Sequence, residues 1–172
     1  MKKEIIETVT HDFAPVWDKA SRVLILGTIP SPASREQGFY YGHPRNRFWR
    51  VISSVFKAEM PSSIAEKKVF LHTHHIALFD VLQFCEITGA SDSSIKNPVP
   101  NDLSHILEQS EIRAIFTTGR KAYTLYERLL RKQTKQPAIY LPSTSPANAA
   151  YSEEKLIAAY QKIWHYVTDE KI

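Results

Sequence analysis

Side chains suited to hydrogen bonding, stacking and anion contact crowd into one stretch, Val23 to Trp49, VLILGTIPSPASREQGFYYGHPRNRFW. An apolar run, Val23 to Leu26, reads as a buried strand and stops at Gly27. Behind it come a loop dense in Pro, Ser and Gly, the consecutive aromatics Phe39, Tyr40 and Tyr41, and then His43, Arg45, Asn46 and Arg47. Two more polar loops follow, one opened by Asp80 and one reading STSPANA, Ser143 to Ala149. None of them pairs two carboxylates with an obvious division into acid and base. Structureless loops as long as the first are uncommon and often functional. A surface loop pinned to the core by its aromatics has the same composition, so composition leaves both readings open.

The elements that must hold these loops follow from the apolar pattern. Strands are expected at Val23 to Leu26, Ile76 to Val81, Ile112 to Phe116 and Ala138 to Leu141. A short helix is expected over 12–20, capped by Asp12. Another starts at Pro44 or Asn46 and carries Phe48, Trp49, Val51, Ile52, Val55 and Phe56. Ser62 and Ser63 stand before Glu66 as a capping box for a third. Asn101 or Asp102 caps a helix ending near Gln109, and Gly119 turns into one running through Leu130. Ser152, followed by Glu153 and Glu154, opens the last, because acidic residues suit the positive end of a helix dipole. Residues 86–100, EITGASDSSIKNPVP, read as a long loop. Strands alternating with helices predict an α/β fold of three layers, α/β/α, around a central, mainly parallel four-stranded sheet. Three strand ends then converge on polar loops, where ligands sit in open α/β sheets.

With 172 residues, a single domain over 1–172 is expected. A formal charge of +4 leans towards polyanionic partners. The single cysteine, Cys85, excludes an intrachain disulfide and a four-cysteine metal site. It fits a reducing compartment, and no neighbouring His or second Cys marks it as reactive. His72, His74 and His75 in LHTHH lack the spacing of a zinc motif. The start, MKKEIIETVT, has no apolar core of signal-peptide length, and no run approaches the roughly 20 apolar residues of a membrane span. A cytoplasmic protein with no membrane association, no metal and no other cofactor is expected.

At GTIPSPAS followed by FYYGHPRNRFW, the chain resembles the uracil-DNA glycosylase superfamily, most of all its hypoxanthine-DNA (DNA-deoxyinosine) glycosylase branch. The resemblance continues through ALFDVLQFCEITGASDSSIKN, IFTTGRKA and STSPANA, from Val23 to Trp164. It implies the same sheet-and-helix fold and a hydrolase of N-glycosyl bonds; a monomer that needs no cofactor is expected. Such an enzyme rotates a deaminated base out of double-stranded DNA and cleaves its N-glycosidic bond with water. Extrusion is required because a stacked base is out of reach. Hypoxanthine is the substrate implied first. A uracil- or mismatch-directed enzyme of this fold, or a module that binds lesions without cutting, remains an alternative.

Two positions depart from the superfamily pattern. Ile29 stands where many members carry an Asn or Asp that handles the catalytic water, and isoleucine can neither accept nor donate a hydrogen bond. In the hypoxanthine branch the resemblance points instead to Asn46, as the group that positions water or stabilises the transition state; a plain helix cap is the competing role. Ser143 stands where several uracil glycosylases carry a His, and Ala147 and Asn148 replace the large apolar wedge.

The base pocket implied by the resemblance comprises Gly27, Thr28, Ile29, Pro30, Phe39, Tyr40, Tyr41, Asp80 and Ser143. Backbone N–H groups near Thr28 would donate to hypoxanthine O6, and Asp80 would accept from N1–H. Phe39, Tyr40 or Tyr41 would stack, though three adjacent rings cannot all face one pocket. DNA contacts would come from Ser31, Ser34, Arg35, His43, Arg45, Arg47, Ser145, Pro146, Ala147 and Asn148. Phosphate contacts of this kind position the protein without reading sequence.

Overall fold

The computed structural model describes residues 5–89 and 91–169. The first four residues of MKKEIIETVT, Ala90 of the expected long loop and residues 170–172 lie outside the described residues. In chain order the first half carries β1 (Ile6–Thr10), β2 (Val23–Gly27), α1 (Pro32–Gln37), α2 (Phe48–Val55), α3 (Ile64–Thr73) and β3 (Ile76–Asp80). The second carries β4 (Leu82–Thr88), β5 (Lys96–Pro100), α4 (Ser104–Gln109), β6 (Ala114–Thr118), α5 (Arg120–Leu129), α6 (Arg131–Thr134), β7 (Ala138–Leu141) and α7 (Glu153–Val167). A single 3-10 turn, Asp92–Ser94, links β4 to β5.

Four strands form a parallel sheet in the order β3-β2-β6-β7. Their continuous apolar runs are what a sheet covered on both faces requires. Along β2 the side chains alternate: Val23 and Ile25 enter one core and Leu24 and Leu26 the other. The first core is closed by α2, α3 and α7, through Phe48, Ile52, Leu71, Leu156 and Tyr160. The second is closed by α5 and a separate antiparallel sheet, β1-β4-β5, through Val9, Cys85, Leu125 and Tyr126. From β2 the chain passes to β3 on one side and later to β6 on the other. That reversal opens a crevice beyond the carboxyl ends of β2 and β6.

Several expectations need correction. Residues 12–20 form no helix; the chain is irregular there, with a bend at Phe13 and a turn at 19–20, and Val16 bridges Leu78 of β3. A helix that short is marginal by itself, and Phe13, Val16 and Trp17 reach apolar neighbours without one. The expected loop 86–100 is in large part β4 and β5. Pro98 and Pro100 argue against a strand, yet an edge strand tolerates a missing donor. Helix α1 interrupts the first loop, with Ser31 capping its start, Pro32 in its first turn and Gly38 left-handed at its end. The third parallel strand starts at Ala114, two residues after the expected Ile112.

The caps of two helices follow the pattern closely. Ser63 accepts from the Glu66 N–H, and the Glu66 carboxylate reaches back to the Ser62 N–H at 2.9 Å. Ser152 accepts from the Lys155 N–H at the start of α7. Among the described residues, no helix is long and apolar enough to cross a membrane.

Candidate active site

The crevice at the strand reversal has a volume of about 990 Å³, at the upper end of the roughly 300–1,000 Å³ typical of ligand sites. Its floor is built at the strand ends: Gly27 from β2, Asp80 from β3, Thr118 from β6 and Gly119 just beyond it. In register, Gly27 lies beside Asp80. A Cβ on Gly27 would stand 2.5 Å from Asp80 Oδ1 and 3.7 Å from both Thr118 Oγ1 and Tyr41 Oη. Glycine is therefore what lets the carboxylate, the hydroxyl and the phenol meet.

Asp80 is 5% exposed. Its Oδ2 accepts from His11 Nε2 at 2.8 Å, and its backbone carbonyl accepts from Asn101 Nδ2 at 2.9 Å. Oδ1 has no hydrogen-bond partner among the described residues, although Asp80 lines the crevice. A nearly buried carboxylate oxygen left open towards a cavity is an acceptor awaiting a donor. His11 has no mark in the sequence that would single it out. It arrives at the floor because β1 pairs with β4 and its own N–H bonds the Gln83 carbonyl at 2.6 Å.

The aromatic triplet divides. Phe39 is buried, stacks with Trp49 (centroids 6.2 Å apart) and does not reach the crevice. Tyr40 is buried too, with its hydroxyl donating to the Ala14 carbonyl at 2.9 Å, although it contributes to the crevice wall. Tyr41 is the half-open ring. Its φ of 55° is left-handed, a costly conformation for a bulky residue. One face of the ring is covered by Phe48, 3.9 Å away between centroids and nearly parallel. Burial, reinforced by the Asp80 carboxylate, pushes both phenols well above their ordinary range, so both remain protonated. Tyr140, unmarked in the sequence reading, adds a ring to the wall, with the Arg120 guanidinium 4.9 Å over it.

Asn46 also lines the crevice. Its Oδ1 accepts from the Phe48 N–H at 2.9 Å and from Thr144 Oγ1 at 2.8 Å. Those two donors fix the orientation of the amide and fill both lone pairs of its oxygen. Nδ2 has no partner among the described residues. The residue thus ties the start of α2 to the late loop and still has a donor in hand. It has no acceptor left for a water proton.

Arg47 is committed elsewhere. Its guanidinium donates to the carbonyls of Ser145, Asn148 and Tyr151, and its N–H to the Thr144 carbonyl. It braces the late loop and is absent from the crevice wall, so its expected phosphate contact is replaced by a structural one. Arg47→Ala is expected to cost about 1.5–3 kcal/mol, the usual range for hydrogen bonds from a charged donor. Thermal melting should register a Tm fall of roughly 3–12 °C. Arg45 is exposed outside the wall, and its backbone N–H bonds His43 Nδ1 at 3.1 Å.

The other candidates fall on three sides of the crevice. Thr28, Ile29 and Pro30 form one lip, continued by Ser31 and Arg35 of the α1 segment; Arg35 also pairs with Glu7 at 3.2 Å. Ser34 reaches the wall but is buried, and its hydroxyl accepts from the Gly42 N–H at 3.0 Å, which makes it a tie between α1 and the aromatic loop. His43 stands near Asn46, and Ser143, Ser145, Pro146, Ala147 and Asn148 form the late-loop side. Pro146 and Ala147 are exposed at the rim. Among the described residues, no group of three His, Cys, Asp or Glu side chains is placed to hold a metal.

Asp92, also missed, joins Asp80 and Glu36 as a third carboxylate along the wall, where the Thr28 hydroxyl donates to it at 3.3 Å. Desolvation by its neighbours pushes its carboxyl up, opposed by the Thr28 bond and by Lys121 and reinforced by Asp80. The unfolded chain then loses this proton at lower pH than the folded one, so the group costs stability as pH rises through its folded value. By surface area Asp92 is exposed, and water screens the effect to a small one. Asp92→Asn is expected to raise Tm at neutral pH and to leave it unchanged near pH ~3. Melts at both pH values check this, and an equal shift at each would contradict it.

Comparison with known proteins agrees with this architecture. The model of the uracil DNA glycosylase superfamily matches residues 14–168. A Methanosarcina acetivorans protein named hypoxanthine DNA glycosylase is 35% identical over 149 residues, covering 86% of this chain and 93% of its own. A Methanosarcina barkeri protein of the same name is 32% identical over 138 residues, covering 79% and 86%. A solution NMR structure from Methanosarcina acetivorans, described as a candidate uracil DNA glycosylase, superposes with a TM-score of 0.74 at 32% identity. That match covers 88% of this chain and 96% of the other. The chain belongs to the uracil DNA glycosylase superfamily.

Proposed function

We propose that this protein is a monofunctional DNA glycosylase that extrudes hypoxanthine from deoxyinosine in double-stranded DNA and hydrolyses its N-glycosidic bond. Membership of the superfamily and the names of its relatives support the activity and the DNA substrate. The observation that carries the choice of base is Asp80 Oδ1, an unpartnered acceptor on a nearly buried residue at the crevice floor. Hypoxanthine presents an N1–H to it. Adenine, the undeaminated base, presents a lone pair there and is repelled. The Ile29 N–H, on a residue that lines the same crevice and unpartnered among the described residues, is a donor for O6.

In the reaction the C1′–N9 bond breaks, positive charge develops on the sugar and negative charge on the leaving purine. Water then adds at C1′ and gives up a proton to solvent. With both lone pairs of its oxygen engaged, Asn46 acts by donation: Nδ2 hydrogen-bonds the departing base as its charge grows. A donor already aimed at developing charge is worth far more in a crevice than in water. Tyr41, backed by Phe48, stacks on the extruded ring. Arg35, His43 and Arg120 at the rim, with the hydroxyls of Ser31 and Ser145, grip phosphates.

Incubation with duplexes carrying hypoxanthine, uracil or xanthine, followed by alkaline cleavage of abasic sites, tests this reading. Excision of hypoxanthine ahead of the others is expected. A preference for uracil would move the protein to the pyrimidine-directed members. Binding without excision from any duplex would leave a lesion-binding module. Replacing exposed Arg45 by Ala is expected to lower the salt slope of duplex binding by about 1, the share of one phosphate contact. An unchanged slope removes it from the DNA contact.

A further inference from the structure

We propose that His11 is a positioning residue which decides the atom that residue 80 shows to the base; this deepens, and rests on, the base-reading role of Asp80. The two side chains are 2% and 8% exposed and meet at 2.8 Å, although 69 positions separate them in the chain. A carboxylate offers only lone pairs, so the shared proton sits on His11 Nε2 and the hydrogen bond runs from the ring to Oδ2. The ring has little freedom to leave. Phe13 lies 4.7 Å from it between centroids, Phe79 5.1 Å and Tyr40 6.0 Å, and its backbone N–H is held by Gln83.

With Oδ2 occupied, the side chain cannot rotate freely about its last bond, and Oδ1 stays directed at the crevice beside Gly27. A buried side-chain pair of this kind holds a reading group within the narrow tolerance that recognition needs. The antiparallel sheet has a clear purpose on this view. Pairing of β1 with β4 carries His11 to the floor of a site otherwise made of parallel-strand ends.

The arrangement makes a prediction that simple packing does not. In Asp80→Asn, a His11 that keeps the Nε2–H tautomer of the wild type holds the amide oxygen on its own side and turns the NH2 group to the crevice. There it meets hypoxanthine N1–H, donor against donor. Removing His11 in that background frees the amide to turn over and present its oxygen. The second substitution should then restore part of what the first took away, whereas in wild type the same substitution should do harm.

Single-turnover excision of hypoxanthine from duplex DNA by the full chain tests this, with thermal melts as a check on folding. His11→Leu is expected to slow excision about tenfold, the worth of one hydrogen bond to a charged group. His11→Gln, whose amide can donate from nearly the place of Nε2, should stay within about threefold of wild type. The double variant combining His11→Leu with Asp80→Asn should be faster than Asp80→Asn alone. If the variants carrying His11→Leu do not hold their fold, His11→Asn, too short to reach Oδ2, replaces that substitution in both backgrounds. A double variant slower than either single one, or a His11→Leu variant as fast as wild type, overturns the proposal. Wild-type excision by Asp80→Asn would instead remove the base-reading role on which it stands.

Discussion

Asn46→Asp is expected to slow single-turnover excision by about 10²–10³-fold, the usual loss when one donor to developing negative charge is removed. Stability should change little. The new carboxylate can still accept from the Phe48 N–H and Thr144 Oγ1, the two bonds that Asn46 Oδ1 makes now. What disappears is Nδ2, and a negative charge appears where the leaving purine gathers its own. Asn46→Ala should lose similar activity and also about 1 kcal/mol of stability, because the Phe48 N–H at the start of α2 and Thr144 Oγ1 then lose their acceptor. Comparing the two separates the cap from the donor. Excision that follows stability through both variants would mean that Asn46 serves the fold alone.

Asp80→Asn is the second large effect. Exchanging a charge-assisted acceptor for a donor should cost about 1.5–3 kcal/mol of transition-state stabilisation on hypoxanthine. That corresponds to a roughly 10–150-fold slower excision. The loss should be greater in excision than in duplex binding, since phosphate contacts carry most of the affinity. Hypoxanthine methylated at N1 gives a complementary check. Wild-type enzyme should reject it, because the proton that Oδ1 accepts is gone and a methyl group fills its place. Equal excision of the methylated and unmethylated bases would place the reading of N1 elsewhere.

The parallel sheet was legible because Val23 to Leu26 and its three companions are short apolar runs flanked by turn residues, the form that strands buried on both faces must take. The crevice was legible for the same reason, since strand ends dictate where loops gather. The antiparallel sheet was not. Its β5 contains Pro98 and Pro100, and β1 exposes Ile6 at 59%, so neither shows the alternation of a half-buried strand. His11 was lost with it, because its meeting with Asp80 depends on long-range pairing. Arg45 and Arg47 look alike in sequence, and only the late loop's carbonyls distinguish a brace from a free cation. Among Phe39, Tyr40 and Tyr41, the left-handed backbone at Tyr41 sets which ring opens to the crevice, a conformation no side-chain pattern announces. The resemblance at HPRN singled out Asn46, but the two bonds that engage its carbonyl, from the Phe48 N–H and Thr144 Oγ1, are a matter of three dimensions.

The most direct measurement is a crystal structure of the protein on a duplex bearing 2′-fluoro deoxyinosine, an analogue whose glycosidic bond resists cleavage. The expected result is an extruded hypoxanthine stacked on Tyr41, with N1 within about 2.7–3.2 Å of Asp80 Oδ1 and Asn46 Nδ2 at hydrogen-bond distance from the purine. A base left in the duplex stack, or a flipped base whose N1 faces away from Asp80, would contradict it.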